Sequence, residues 1–242
     1  MKKISILLLF SISFSQYYGG NISIGGALPQ GEFQDQEVPA SIAFDMNALY
    51  YINDYAAIGL NLGGAQYGYA EREGAMMSWS SVTVTEETRN SMGYGNLLLK
   101  ILPFKGPVKI YAEGLLGLKN LSTIVKIMNN SSQCDDLETD INECEIAADT
   151  KASDTAFGYG VGGGIEVLLS NLKDEEGNPM GALSLVLSAK HLWGGEVKYL
   201  KEGGITIEGY DPLTGQQDIV YNWNQSRTDV MHYNIGIHFT SK

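Results

Sequence analysis

The sequence is poor in cysteine, proline and histidine, with two, six and three of each among 242 residues. The two cysteines have neither a CxxC spacing nor an adjacent histidine pattern, so a zinc site is not expected, nor is any other metal or cofactor. Because proline is scarce while glycine and tyrosine are abundant, the composition is not that of a disordered chain. The formal net charge of −12 argues against nucleic-acid binding as a main activity.

Long apolar runs are also missing after residue 16, since glycine, asparagine or a charge interrupts each run within about ten residues. A membrane-spanning helix needs about 20 apolar residues. The N-terminus has a different pattern: residues 1–3 are basic, residues 4–14 are apolar, and the small residues Ser13 and Ser15 precede Gln16. This predicts a cleaved secretory signal peptide at residues 1–15 and one exported domain at residues 16–242.

The chain is instead rich in two-residue alternation, which indicates β-strands. It is clear at residues 230–239, where one face is apolar and the other is polar or small. The apolar face has Met231, Tyr233, Ile235, Ile237 and Phe239, and the opposite face has His232, Asn234, Gly236 and His238. Similar segments lie at residues 17–28, 40–52, 55–70, 91–102, 108–121, 155–169 and 181–193.

These eight segments predict an all-β fold, an eight-stranded antiparallel up-and-down transmembrane β-barrel. The connections after the second, fourth and sixth strands are short, and those after the third, fifth and seventh are long, as in outer-membrane barrels. A further hairpin is predicted within residues 194–227. A bulge is predicted at Gly63 and Gly64, placing Tyr67 and Tyr69 on the apolar face. The alternative is a soluble lipocalin-like barrel with the two faces exchanged, which would leave the glycine-rich face in solvent.

Signal peptide, alternating strands, glycine-rich inner faces and the aromatic Phe239 near the end of the last strand resemble the small outer-membrane barrels: the OmpA transmembrane domain, OmpX and the PorT-like barrels. The resemblance implies the outer membrane of a Gram-negative-type bacterium as the location, with outer-membrane lipid and the barrel-assembly machinery as partners. Two features differ from the pattern: Thr240, Ser241 and Lys242 follow Phe239, and no peptidoglycan-binding domain follows the last strand.

The face predicted to point inward carries charges of both signs. Its ionisable members are Asp45, Lys100, Lys109, Glu113, Lys119, Glu166 and Lys190. An eight-stranded barrel has an interior only wide enough for side chains, so these charges are expected to form a buried ion-pair network that fills the lumen. The alternative, implied by the resemblance to OmpA, is a small gated pore in which the same pairs open and close.

The two cysteines, Cys134 and Cys144, are predicted to form a disulfide that closes an external loop. The acids between them are Asp135, Asp136, Glu138, Asp140 and Glu143. Their spacing lacks the pattern and central glycine of an EF-hand, so a solvated loop is favoured over a cation site. External loops are where recognition usually resides, so the expected role is structural or the binding of an extracellular ligand or surface.

An outer-membrane lipid-modifying enzyme or protease is the remaining alternative. Ser226, Asp229 and His232 are close in sequence near the predicted external rim, and His191 lies near the end of the seventh strand. Asp229 and His232 are three residues apart, so in a regular strand they point in opposite directions. The chain is therefore not expected to be an enzyme.

Overall fold

Eight antiparallel strands form a closed ring. The computed structural model describes residues 18–36, 38–75, 83–129, 145–210 and 217–241. The elements are β1 (Tyr18–Pro29), α1 (Glu32–Asp35), β2 (Ser41–Asn53), β3 (Ala56–Ala75), β4 (Thr83–Ile101), β5 (Val108–Asn129), β6 (Glu145–Lys173), β7 (Pro179–Gly194), β8 (Glu196–Tyr210), β9 (Gln217–Arg227) and β10 (Val230–Ser241). The ring order is β1-β10-β7-β6-β5-β4-β3-β2, so the last strand closes on the first. The predicted up-and-down barrel is confirmed.

The outward and inward faces differ as the alternation predicts. Ile22 and Leu97 on the outside are 59% and 64% exposed, whereas their inward neighbours Asn21 and Asn96 are each 5% exposed. The exterior is an apolar band and the interior holds polar and charged side chains. This rules out the soluble alternative, which requires an apolar interior. Within the described ranges, no helix is long and apolar enough to cross a membrane.

The two ends of the barrel are different. At one end, which we call the short-turn end, brief connections join β2 to β3, β4 to β5 and β6 to β7. At the other, the long-loop end, β3 to β6 continue as paired strands well past the predicted limits, for example to Ala75 in β3 and from Glu145 in β6. The sequence pattern ends earlier because residues 71–75, 83–90, 122–129 and 145–154 do not alternate between apolar and polar side chains.

β8 and β9 form a separate two-stranded hairpin at the long-loop end. It lies in the segment where a further hairpin is predicted, although its turn at residues 211–216 is outside the described residues. Two hydrogen bonds fix its base to β6, because Gly195 N donates to Phe157 O at 2.9 Å and Lys198 N donates to Asp154 Oδ2 at 2.9 Å. The hairpin is therefore anchored to the barrel wall.

The predicted bulge at Gly63 and Gly64 is wrong. The ladder runs through both glycines, and the register shifts between Gln66 and Gly68 instead. Tyr67 consequently points inward and is 5% exposed, while the side chain of Tyr69 lies outside the described residues. Gly63 serves close packing, since a Cβ there would lie 2.4 Å from the hydroxyl of Tyr94.

Residues 1–17 lie outside the described residues, so the signal peptide at residues 1–15 stays a prediction. The same holds for Cys134, Cys144 and the acids between them, because residues 130–144 are also outside the described ranges.

Candidate functional site

The candidate site is the lumen and its two ends. Near the short-turn end, a chain of polar contacts crosses the interior. Lys100 Nζ donates to Glu166 Oε1, and His238 Nδ1 lies 2.8 Å from the same oxygen. His238 Nε2 lies 3.2 Å from the hydroxyl of Tyr51. These four side chains come from β4, β6, β10 and β2, which are alternate strands of the ring, so the chain of contacts links the whole circumference.

A second group of contacts centres on Asp45, which is 1% exposed. Its Oδ2 accepts hydrogen bonds from Lys190 Nζ at 2.8 Å, Tyr94 Oη at 2.8 Å and Asn61 Nδ2 at 2.9 Å. Lys190 Nζ also lies 3.7 Å from Glu113 Oε1. One ammonium thus lies between two carboxylates, an arrangement that compensates buried charge.

Four asparagines extend this group along the wall. They are Asn21, Asn47, Asn61 and Asn96, on β1, β2, β3 and β4, and they are direct neighbours in register. Their amides donate in sequence: Asn47 to Asn21 at 3.2 Å, Asn61 to Asn47 at 2.7 Å, and Asn96 to Asn61 at 3.0 Å. The asparagine ladder holds one half of the lumen wall in a fixed register.

Two lysines predicted for the ion-pair network, Lys119 and Lys109, are not part of it. Lys119 is 1% exposed, and its Nζ donates to the backbone oxygens of Leu192 at 2.8 Å and Thr228 at 2.7 Å. It therefore fastens β5 to β7 and to the connection between β9 and β10. Lys109 is half-buried at the short-turn end and has no ion pair among the described residues. It lies directly opposite Glu166 in the ladder, but that carboxylate already contacts Lys100 and His238.

A buried apolar cluster lies at the long-loop end. Phe33 of α1 is 1% exposed and packs edge-on against the rings of Tyr67 and Tyr199, with centroids 5.4 and 5.7 Å away. Val197 of β8 and Val230 of β10 complete its buried core. Tyr199 lies 3.3 Å from Ser226 through their hydroxyls, and burial raises the pKa of its phenol. The short helix and the hairpin thus pack together over this end of the barrel.

The short-turn end is more open. A cavity of about 470 Å³ enters the barrel between the turns and reaches Glu166. At its rim, Lys105 and Asp54 form an exposed ion pair, and this hydrogen bond raises the pKa of the Lys105 ammonium. In the neighbouring turn, hydrogen bonds from Asn178 hold the pKa of the Asp174 carboxyl below its ordinary value. The cavity therefore connects the short-turn end with the Lys100–Glu166 pair.

The three residues considered for catalysis do not converge. The Ser226 hydroxyl faces Tyr199, and Asp229 Oδ1 accepts from Gly194 N at 3.0 Å. His232 is fully buried beside Tyr94, with ring centroids 5.4 Å apart, and neither ring nitrogen has a hydrogen-bond partner among the described residues. His191 stacks on Trp193 on the outer side, with centroids 4.3 Å apart. No catalytic role is proposed for these side chains.

The sequence predicts which face of each strand points inward, but two parts of the site were missed. Phe33 lies outside the eight alternating segments, and a single aromatic between polar residues gives no periodic signal. The asparagine ladder was missed as a unit, because alternation gives the inward face of each strand but not which residues of neighbouring strands lie at the same level. Counting residues from the tight turn between β2 and β3 pairs Asn47 with Asn61, because turn geometry fixes register, but the other two pairs lie across longer connections.

The sequence matches no known protein family and no curated protein. Structural comparison finds Neisserial surface protein A, with 13% identity over 94% of this chain and 96% of that one, and a TM-score of 0.41. It also finds Ail, the attachment invasion locus protein of Yersinia pestis, with 10% identity over 93% and 98% and a TM-score of 0.40. A third is the N-terminal β-barrel domain of Pseudomonas aeruginosa OprF, with 9% identity over 92% and 96% and a TM-score of 0.34.

The location of this protein follows from its own architecture. Its antiparallel ring leaves no free strand edge within the wall, its exterior is an apolar band, and its interior is polar. Short turns lie at one end and long connections at the other, which makes the short-turn end periplasmic and the long-loop end external. An eight-stranded barrel with these properties is an integral outer-membrane β-barrel.

Proposed function

We propose that this protein is a closed outer-membrane scaffold that acts through its external surface, where it binds a cationic partner. The observation that carries this proposal is the packing of the buried Phe33 ring against Tyr67 and Tyr199 at the long-loop end. A barrel whose external end is closed by buried aromatic rings presents a surface to the outside and no passage.

The external surface is large for so small a barrel. β3 to β6 extend beyond the apolar band as paired strands, and the β8–β9 hairpin stands beside them. Paired strands keep their backbone groups satisfied, so this region is a stable platform. Such platforms with loops are the usual site of recognition in barrels.

The sign of the charge indicates the class of partner. Residues 130–144 connect β5 to β6 and contain five acids with no lysine or arginine. The whole chain has a formal net charge of −12. An acidic surface attracts basic proteins and peptides at long range and repels anionic polymers.

The test compares the attachment of whole cells to a surface coated with poly-L-lysine. One variant carries neutral amides in place of Asp135, Asp136, Glu138, Asp140 and Glu143, and a second carries Cys134→Ser and Cys144→Ser. We expect attachment to fall several-fold in the first variant and to weaken with added salt in the parent protein. A smaller fall in the second variant would reflect a less ordered loop.

The matched control is Glu175→Gln with Glu176→Gln, two acids of the periplasmic turn between β6 and β7, one of which accepts only a hydrogen bond from Asn178. It changes the net charge without touching the external surface. Equal attachment by the loop variant and this control, with both shown to be folded by heat-dependent gel mobility, would leave only a structural role.

A small gated pore is the second candidate, favoured by one observation. The groups that fill the lumen are ion pairs, Lys100 with Glu166 and Lys190 with Asp45, and not apolar side chains alone. Ion pairs can exchange partners, whereas an apolar core cannot. For conduction, both pairs and the external aromatic cluster would have to move together.

Two further partners are proposed on general grounds. The apolar band implies contact with outer-membrane lipid, as the exposure of Ile22 and Leu97 supports. The exposed ring of Phe239 near the end of β10 supports recognition by the barrel-assembly machinery during insertion.

A further inference from the structure

The cavity at the periplasmic end has the size and lining of a ligand-binding site, which a closed scaffold does not require. It holds about 470 Å³, within the size range of sites for small organic molecules. Its walls are mixed, since the apolar side chains of Leu102 and Leu168 lie beside the polar side chains of Ser184 and Asn171. An apolar wall with a few convergent polar groups is the usual composition of a ligand site.

The charges of the cavity do not balance. At the rim Lys105 is paired with Asp54, and at the inner end Glu166 is paired with Lys100 and His238. Lys109 and Lys173 also line the cavity, and neither has an ion pair among the described residues. After pairing, the lining therefore carries two uncompensated positive charges.

Of the two unpaired lysines, Lys109 is the one whose surroundings favour an anionic ligand. Lys109 is half-buried. Its direct neighbour on the adjacent strand is Glu166, the carboxylate with which it would be expected to pair. That carboxylate is engaged instead by His238 Nδ1 at 2.8 Å and by Lys100. A partly desolvated ammonium facing a cavity favours an anionic partner, because a charge-assisted hydrogen bond there is stronger than one to water.

We propose that this periplasmic vestibule is a binding site for a small organic carboxylate, with Lys109 as its main anchor and Lys173 as a second cationic contact at the rim. The carboxylate contacts the lysines, and the carbon chain lies against Leu102 and Leu168. The site opens only to the periplasm, so it is independent of any partner bound at the external surface.

The experiment uses the full protein purified from outer membranes in detergent, titrated by calorimetry with succinate, with neutral succinamide and with inorganic phosphate. We expect succinate to bind and succinamide not to bind, since the lysines require charge. Phosphate should bind more weakly than succinate because it gains nothing from the apolar wall. Phosphate binding as tight as succinate would overturn the assignment to an organic ligand.

Lys109→Gln is expected to weaken succinate binding about tenfold, the size of one lost charge-assisted contact. Lys173→Gln, which changes an exposed side chain and leaves folding intact, should weaken it several-fold. Lys198→Gln, an exposed lysine on the external hairpin, is the matched control and should bind as the parent does. Unchanged binding in both Lys109→Gln and Lys173→Gln, or equal loss in Lys198→Gln, would overturn the proposal.

Discussion

Lys190 and Asp45 lie three strands apart in the barrel ring, and their side chains meet with Nζ 2.8 Å from Oδ2. Both are almost fully buried, at 2% and 1% exposure. A contact across the lumen ties non-adjacent strands, which backbone hydrogen bonds cannot do. The pair therefore helps to fix the shape of the ring.

Asp45→Asn should strongly destabilise the barrel. The substitution leaves the Lys190 ammonium buried without its closest carboxylate, and losing one partner of a buried pair costs about 3–5 kcal/mol. The free energy of unfolding is measured by urea titration in lipid vesicles. The double variant Asp45→Asn with Lys190→Met should recover part of the loss, because no uncompensated ammonium remains.

The control for this prediction is Asp54→Asn, which removes the carboxylate of the exposed pair with Lys105. Exposed ion pairs contribute little because water screens them. If Asp54→Asn and Asp45→Asn had the same effect, the lumen pair would have no special structural role.

Gly117→Ala should impair folding, whereas Gly114→Ala should not. A Cβ at Gly117 would lie 2.0 Å from Gly95 O and 2.6 Å from the Cα of Asn96, so β4 and β5 would have to separate locally. At Gly114 on the same strand, no atom lies within 4 Å of the added Cβ. We expect a loss of about 1–3 kcal/mol for the first variant. The folded fraction on unheated gels measures it, and equal folded fractions for the two variants would contradict the packing described for the inner wall.

Phe33→Ala should loosen the external end while leaving the barrel assembled. Truncating a buried phenylalanine costs about 3–5 kcal/mol, and here the loss falls on α1 and the β8–β9 hairpin. The expected result is faster cleavage of the hairpin by added protease on intact cells. Phe104→Ala is the control, because that ring is 59% exposed at the periplasmic end. Equal cleavage rates in the two variants would mean that Phe33 does not hold the hairpin.

The strand faces could be predicted because a period of two is a local property, readable in any six residues. Asp45, Glu113, Glu166 and Lys190 were placed inward for this reason. Their pairing could not be predicted, since partners such as Lys190 and Asp45 are 145 residues apart and meet only when the ring closes. Lys109 and Lys119 show the same limit, because an inward lysine need not find a carboxylate.

The external end was predictable only in part. Beyond the apolar band, alternation no longer carries information, so the extensions of β3 to β6 were interpreted as loops. Tyr67 points inward in phase with Asn61 and Ala65, but its packing against Phe33 and Tyr199, which are distant in sequence, forms only in the folded chain. Tertiary contacts of this kind have no signature in a local window.

The most direct test of the closed scaffold is planar-bilayer conductance of the protein beside Glu166→Ala, with folding of both verified by heat-dependent gel mobility. The substitution removes the carboxylate that joins Lys100 to His238, but it leaves the aromatic cluster around Phe33 in place. A closed scaffold predicts no current steps from either protein. Discrete steps from the parent, enlarged in Glu166→Ala, would contradict it and establish a gated pore built on the lumen ion pairs.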